Sequence, residues 1–292
     1  MHTSKRIKNK MRTMQVKLLF ASVFFTAVCV LIAGCSKKQN NKLAEASSIS
    51  SNLVFGGTVS HHSLADEYID EFFNEIRKNR DVKTFFIICP SHYGLSTFDY
   101  STADFTFKTQ TKDFVFVKSN SKIVKDIAKK LNVGFDDQVF YVEHGILALI
   151  PFINKYFPEA DVVPIAVTGE PPVNMEYVKK LSDVVAPYFS EEKRKDNFLV
   201  ISSDFCHHKN IEETEKVDKR SKIFFDDIKT DNWFFCGCDN RPGIYVLANL
   251  FDENTELTYL YHTTSYEICH QQPEDVTSYY FSLFADKKRG QK

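Results

Sequence analysis

Four short apolar runs constrain the fold of this chain more than any other feature. They are Leu53–Val59, Lys83–Cys89 (KTFFIIC), Asp161–Val167 (DVVPIAV) and Asn197–Ser202 (NFLVIS). Apolarity in the last three is continuous rather than alternating, the pattern of strands covered on both faces, and polar residues bound each run. Between them lie helical spacings that gather apolar residues on one face: Leu64, Tyr68, Ile69, Phe72, Phe73 and Ile76, then Ile146, Leu149, Ile150 and Ile153, then Met175, Val178, Leu181, Val185 and Tyr188. Strands alternating with helices predict an α/β fold, a single domain whose largely parallel central sheet is flanked by helices. The C-terminal part adds helices around 211–228 and 243–251 and strands at 256–261 and 277–284. Neither an internal repeat nor a second linker interrupts the pattern.

The N-terminus reads differently. Lys5, Arg6, Lys8, Lys10, Arg12 and Lys17 precede an apolar run from Leu18 to Ala33 that ends in small residues at Gly34-Cys35. A basic segment, a short apolar segment and a small-residue exit predict a signal peptide over residues 1–34. Leu31-Ile32-Ala33-Gly34-Cys35 resembles the bacterial lipobox, which predicts lipidation of Cys35, including palmitate, and a membrane-anchored lipoprotein facing outside the cytoplasm. Residues 35–52, with few large apolar side chains, read as the lipidated Cys and a flexible tether. The folded domain is then residues 53–288.

Charge follows from this division. The full chain has 37 basic and 38 acidic residues, but all six Lys and Arg of residues 1–34 leave with the signal peptide, so the mature chain carries a net charge near −7. No basic tract remains to meet phosphates, which argues against nucleic acid as a partner. Five of the seven cysteines remain after Cys29 is removed and Cys35 acylated: Cys89, Cys206, Cys236, Cys238 and Cys269. An odd number in an exported protein leaves at least one unpaired. Cys89 and Cys206 sit in apolar or edge positions and read as packing residues.

Six of the nine histidines fall in four short signatures: Ser60-His61-His62-Ser63, Pro90-Ser91-His92-Tyr93, Glu143-His144-Gly145, and Ser202-Ser203-Asp204-Phe205-Cys206-His207-His208. Three of these directly follow an expected strand. In an open parallel sheet the carboxyl ends of the strands face one crevice, so His61, His92, Asp204 and His207 are expected to converge. Neutral imidazoles beside a carboxylate make either a metal site or a proton-transfer site. Structural roles compete with these: Asp204 as a turn or helix cap, Glu143 as the cap of the helix that carries Ile146. Cys236-Gly237-Cys238 is a further candidate, because Gly237 permits a sharp turn and a helix N-terminus near Pro242 favours thiolate character. A pairing of Cys238 or Cys236 with Cys269 is the alternative.

The ordered set VSHH, CPSHYG, EHGI, VVPI, SSDFCHH and FCGC, with Thr277-Ser278-Tyr279 near the end, resembles the Memo family, whose bacterial members are called AmmeMemoRadiSam system protein B. The resemblance implies a fold like the catalytic subunit of class III extradiol dioxygenases. It also implies a metal centre of two His and one Cys: His61, His92 and Cys236. His207 and Asp204 become the catalytic pair beside the metal, a general base or acid and the carboxylate that positions it. Glu143 and His144 become supporting residues around the cofactor. His62 stands where the family has a small residue and competes with His61, and Tyr93 replaces the family's second His.

A thiolate ligand favours Fe(II), Cu or Zn, with Fe(II) the first expectation. The function implied is a dioxygenase-like oxidoreductase acting on an unknown small organic substrate. A zinc-dependent hydrolase on the same ligands, and a non-catalytic metal- or peptide-binding protein tethered to the membrane, remain as alternatives. The family also implies functional association with AMMECR-type and radical SAM proteins.

Overall fold

The computed structural model describes residues 53–96, 99–108, 116–168 and 172–287. The expected signal peptide, Cys35 and the tether lie outside these residues. Among the described residues there are nine strands: β1 (Val54–Val59), β2 (Thr84–Pro90), β3 (Tyr100–Thr102), β4 (Thr106–Lys108), β5 (Phe116–Lys118), β6 (Asp161–Val167), β7 (Asn197–Ser202), β8 (Thr255–Thr264) and β9 (Ser278–Asp286). The described helices are α1 (Asp66–Asn79), α2 (Ser121–Leu131), α3 (Asp137–Phe140), α4 (His144–Leu147), α5 (Ile150–Tyr156), α6 (Met175–Val185), α7 (Ile211–Asp226), α8 (Arg241–Asn249) and α9 (Ser265–Cys269). None of them is long and apolar enough to cross a membrane.

Seven strands form one sheet in the order β3-β6-β2-β7-β1-β9-β8, and β4 and β5 form a separate hairpin. The four strands at its centre, β6, β2, β7 and β1, run parallel, while β3, β9 and β8 are antiparallel additions at the two sides. The continuous apolar runs are the parallel strands, as a sheet covered on both faces requires. Along β2, Phe85, Ile87 and Cys89 join one apolar layer and Phe86 and Ile88 the other. The first layer is closed by Ile69, Phe72, Phe73 and Ile76 of α1 with Ile146, Ile150 and Ile153 of α4 and α5. The second is closed by α2, α6, α7 and α8 through residues such as Val124, Leu181, Phe224 and Leu247.

Helix termini agree with local chemistry. Asp66 and Glu67 open α1 while Arg77 and Lys78 close it, each charge matched to the end of the helix dipole it sits on. Helix α2 went unanticipated from sequence, although Val124, Ile127, Ala128 and Leu131 have helical spacing. Asn120 caps its start by accepting from the Ile123 N–H, and Asn132 ends it in the left-handed region at φ 60°.

Register decides where the chemistry sits. Val59 of β1 pairs with Ser202 of β7, and Ile88 of β2 pairs with Ile201 of β7. Three neighbouring parallel strands therefore end at one level, and the loops leaving them carry His61, His92 and Asp204 into the same crevice.

Candidate metal centre

Within that crevice His61, His92 and His144 each offer a ring nitrogen, and these three atoms lie within 4.8 Å of one another. The rings of His92 and His144 have centroids 4.0 Å apart, and His61 meets them edge-on at 4.9 and 5.1 Å. Each histidine has one nitrogen engaged behind it. Ser202 Oγ donates its single proton to the Gly145 carbonyl at 2.5 Å, so at 3.0 Å from His61 Nδ1 it accepts. This holds the proton of His61 on Nδ1 and leaves Nε2 facing the crevice. His92 Nδ1 lies 2.6 Å from Glu143 Oε1, which turns its Nε2 the same way. His144 Nδ1 contacts the Tyr93 hydroxyl at 3.0 Å.

Glu143 therefore plays both roles open to it in the sequence. Its Oε1 caps α4 by accepting from the Gly145 N–H at 2.9 Å, and the same oxygen meets the His92 ring. Burial would raise its pKa, but His92 and the N–H donors keep it below the usual carboxylate range.

Asp204 is held by the Ser60 hydroxyl at 2.6 Å and by the His61 N–H at 3.4 Å, both on Oδ1. Its Oδ2 stands 3.9 Å from His61 Nε2 and 3.7 Å from His207 Nε2. Asp204 is buried, which alone would raise its pKa, yet the imidazoles of His61 and His207 pull it well below the ordinary range. His207, half-buried, sits at the open side of the group with its pKa raised, burial being outweighed by Asp204 and Asp239.

Two expected residues stand elsewhere. Cys236 is fully buried in the second apolar layer with Ile244, Leu247 and Tyr280. Burial, with Cys238 beside it, pushes its thiol well above the ordinary value, opposite to the thiolate character expected of a helix N-terminus. Local contacts shape the turn beside it: the Gly237 N–H donates to Ser221 Oγ of α7, and a Cβ on Gly237 would lie 2.2 Å from Val217. His62 is exposed, and its Nδ1 accepts from the Leu64 N–H to cap the short turn Ser63–Ala65. No disulfide joins Cys236 or Cys238 to Cys269, so the alternative pairing is not formed. Cys269 Sγ instead contacts the Ser265 carbonyl at 3.1 Å.

One residue of the centre was missed from sequence. Asp239 Oδ2 lies 3.4 Å from His61 Nε2, 3.6 Å from His92 Nε2 and 3.8 Å from His207 Nε2. Its Oδ1 accepts from Ser203 Oγ at 2.9 Å and its N–H donates to the Asp204 carbonyl at 3.1 Å. Oδ2 is buried without a hydrogen-bond partner. The only sequence signal was an acidic residue between Cys238 and the Asn240 cap of α8, in a segment read for its thiols.

Electrostatically the group is an array of imidazoles and carboxylates. Burial disfavours charge on His92, but Asp239 and Glu143 raise its pKa to about 9. His61 is raised by Asp204 and Asp239 against its burial. His144, half-buried and next to His92 and His61, is lowered to about 4 by desolvation and by those two imidazoles and stays neutral. Without a metal, a proton on His92 helps balance the carboxylates. A divalent cation would replace it and give the buried Asp239 oxygen a short contact in place of its long ones, so the residues present fit a transition metal.

The Memo-like protein family matches residues 62–234, more than half the chain. A MEMO1 family protein of Caldivirga maquilingensis is 26% identical over 200 residues, covering 68% of this chain and 61% of the relative. A second MEMO1 family protein, from Pyrobaculum aerophilum, is 24% identical over 170 residues, covering 58% of this chain and 54% of the relative. The similarity thus spans between about half and three fifths of these relatives' length. The family match ends two residues before Cys236, so the segment that holds Cys236, Cys238 and Asp239 lies outside it.

Proposed function

Since this chain belongs to the Memo-like family, we propose that it is a metal-binding oxidoreductase of dioxygenase-like type, acting on a small organic substrate at the His61–His92–His144 centre. The observation that carries the reading is the convergence of three ring nitrogens within 4.8 Å at the ends of adjacent parallel strands. Each ring is oriented from behind by Ser202, Glu143 or Tyr93. Fe(II) is the metal this reading favours, with Cu and Zn as alternatives. A metal so held supplies Lewis acidity and open positions for dioxygen, water or substrate.

The chain's own residues would do the rest. His61 and His92 would hold the metal through Nε2, with His144 against them as a third imidazole, while Ser202 and Glu143 would keep the protons of His61 and His92 on Nδ1. His207, partly exposed and 3.7 Å from Asp204 Oδ2, holds or moves a proton at the open side, and Asp204 keeps it charged and oriented. The ends of β1, β2 and β7 carry His61, His92 and Asp204 into the crevice. From the basic and apolar N-terminal segment ending at Gly34-Cys35 we further propose that the domain stands outside the cytoplasm on a lipid tether at Cys35.

Elemental analysis of the purified protein, followed by oxygen-electrode assays with Fe(II), tests the proposal. One transition metal per chain in the wild type and none in His92→Ala is the expected result, and oxygen uptake with an active substrate should require Fe(II). Activity that persists anaerobically with Zn would replace the oxidoreductase by a hydrolase. Absence of any metal in protein purified without chelators would end the metal-centre reading altogether.

A further inference from the structure

We propose that Asp239, through Oδ2, is the anionic ligand of the centre, completing with His61 and His92 a face of two imidazoles and one carboxylate in place of the expected thiolate of Cys236. This rests on the metal-binding reading above and names the ligand set of that same site.

Asp239 Oδ2 has no hydrogen-bond partner, only long contacts to imidazole nitrogens. A buried carboxylate oxygen without a hydrogen bond is costly, because its lone pairs lose water and contacts at ion-pair distance replace it only in part. Asp239 Oδ2 is in that position while three imidazole nitrogens surround it at 3.4, 3.6 and 3.8 Å. These separations are long for hydrogen bonds but match another geometry. Two donor atoms each about 2.1 Å from one ion, at angles of about 90–110°, stand about 3.0–3.4 Å apart. The spacing from Oδ2 to His61 Nε2 and His92 Nε2 is close to that of ligands around a shared ion.

The rest of the side chain is fixed for the purpose. Oδ1 is tied to Ser203 Oγ at 2.9 Å, so the carboxylate cannot turn its free oxygen away without losing that bond. The backbone is pinned on both sides: the Asp239 N–H donates to Asp204 O at 3.1 Å, and Asn240 Nδ2 donates to the carbonyls of Ile88 and Ser202 at 2.8 and 2.9 Å. Those two carbonyls belong to β2 and β7, the strands that lead to His92 and Asp204. The turn that carries Asp239 is therefore bolted to the same strand ends as the histidines. Cys236, by contrast, faces the apolar layer.

The exchange of sulfur for oxygen strengthens the case for Fe(II) over Cu. Thiolates suit Cu(I), whereas two imidazoles with one carboxylate and open positions are the donor set of non-haem Fe(II) sites. The carboxylate also cannot be lost to oxidation as a thiolate is, which suits a protein outside the cytoplasm.

Co(II) serves as the probe, because a thiolate ligand gives a thiolate-to-cobalt charge-transfer band in the near ultraviolet and a carboxylate does not. Wild-type protein should bind one Co(II) without that band, and Cys236→Ser and Cys238→Ser should give the same spectrum and affinity. Asp239→Asn should weaken Co(II) binding at least about 100-fold, with its far-ultraviolet circular dichroism unchanged. Asp239→Cys should bind and gain the band; it decides the matter by its spectrum if Asp239→Asn does not fold. A band in the wild type that either Cys→Ser variant removes overturns the proposal, as does Asp239→Asn binding within threefold of wild type or Asp239→Cys without the band. Wild-type protein that takes up no metal would instead fail the metal-binding reading itself.

Discussion

His92 and Glu143 are joined twice: the ring Nδ1 of His92 meets Glu143 Oε1 at 2.6 Å and the backbone N–H of His92 donates to Oε2 at 2.9 Å. Oε1 also takes the Gly145 N–H at 2.9 Å. Three donors on one carboxylate leave no place for a second type of group. Glu143→Gln would put an amide NH2 against one of those donors, and the ring of His92 would lose its fixed orientation. Metal affinity should fall about 10–100-fold, the range for loss of a partner behind a ligating histidine. Metal titration of the folded variant measures this; an unchanged affinity would show that Glu143 only caps α4.

The same pair sets a pH dependence for the metal-free protein. His92 is raised from 6.5 to about 9, so its stabilisation is complete below pH 6.5 and is lost as pH climbs through 9. Glu143 is lowered, so its share is present above 4.5 and is lost as pH falls through its folded-state value. Metal binding works in the opposite sense at the alkaline end, because the metal displaces the proton and binds more tightly as pH rises. Thermal melts between pH 5 and 10, with and without metal, should show metal-free stability falling above about pH 6.5 while the metal-induced gain grows. His92→Ala should flatten both trends, and wild-type curves already flat would refute the coupling.

Gly145 sits where no side chain fits. A Cβ there would lie 2.8 Å from Cys89 Cβ on β2 and 3.2 Å from Glu143 Oε1, in a fully buried place. Gly145 also holds Glu143 through its N–H and Ser202 through its carbonyl, so displacement moves the supports of His92 and His61 together. Gly145→Ala should destabilise by about 1–3 kcal/mol, the usual penalty for overpacking, and reduce metal affinity at the same time. Chemical denaturation and metal titration report the two effects, and a change in stability with metal binding intact would separate packing from the centre.

Asn240 is fully buried and has each side-chain atom engaged: Oδ1 accepts from the Gly243 N–H to cap α8, and Nδ2 serves the Ile88 and Ser202 carbonyls. Asn240→Ala orphans two buried carbonyls and a helix terminus, a loss of about 2–4 kcal/mol. Because the neighbouring Asp239 depends on this clamp, metal affinity should drop too. A fully active, wild-type-stable Asn240→Ala protein would contradict the clamp.

Lipidation is tested outside the folded domain. Labelled palmitate should be incorporated into the wild type and not into Cys35→Ser, and the variant should leave the membrane fraction without loss of metal binding. Label retained in Cys35→Ser would place the acyl group elsewhere.

The sheet was legible in the sequence because continuous apolar runs of strand length have few other uses. Asp161–Val167 and Asn197–Ser202 are strands over the same residues, and the other two runs differ by a residue at their ends. His61, His92 and Asp204 were legible for the same reason: a residue just past a parallel strand must enter the crevice at the carboxyl edge. The short strands β3, β4 and β5 were not legible, since three residues carry no periodicity.

Cys236 and Asp239 mark the boundary between the two kinds of knowledge. They are three residues apart in an irregular turn, where sequence position does not fix side-chain direction as it does in a helix or strand. Sequence alone determined that several histidines gather at one sheet edge and that an anionic group stands nearby. Only the tertiary structure decided which of the two faces the histidines: Ser221 and Val217 of α7 shape the backbone at Gly237, and beside the Asn240 clamp on β2 and β7 Asp239 Oδ2 stands 3.4 Å from His61 Nε2 and 3.6 Å from His92 Nε2. Those contacts join residues far apart in the chain, and their geometry exists only once the sheet has set its register.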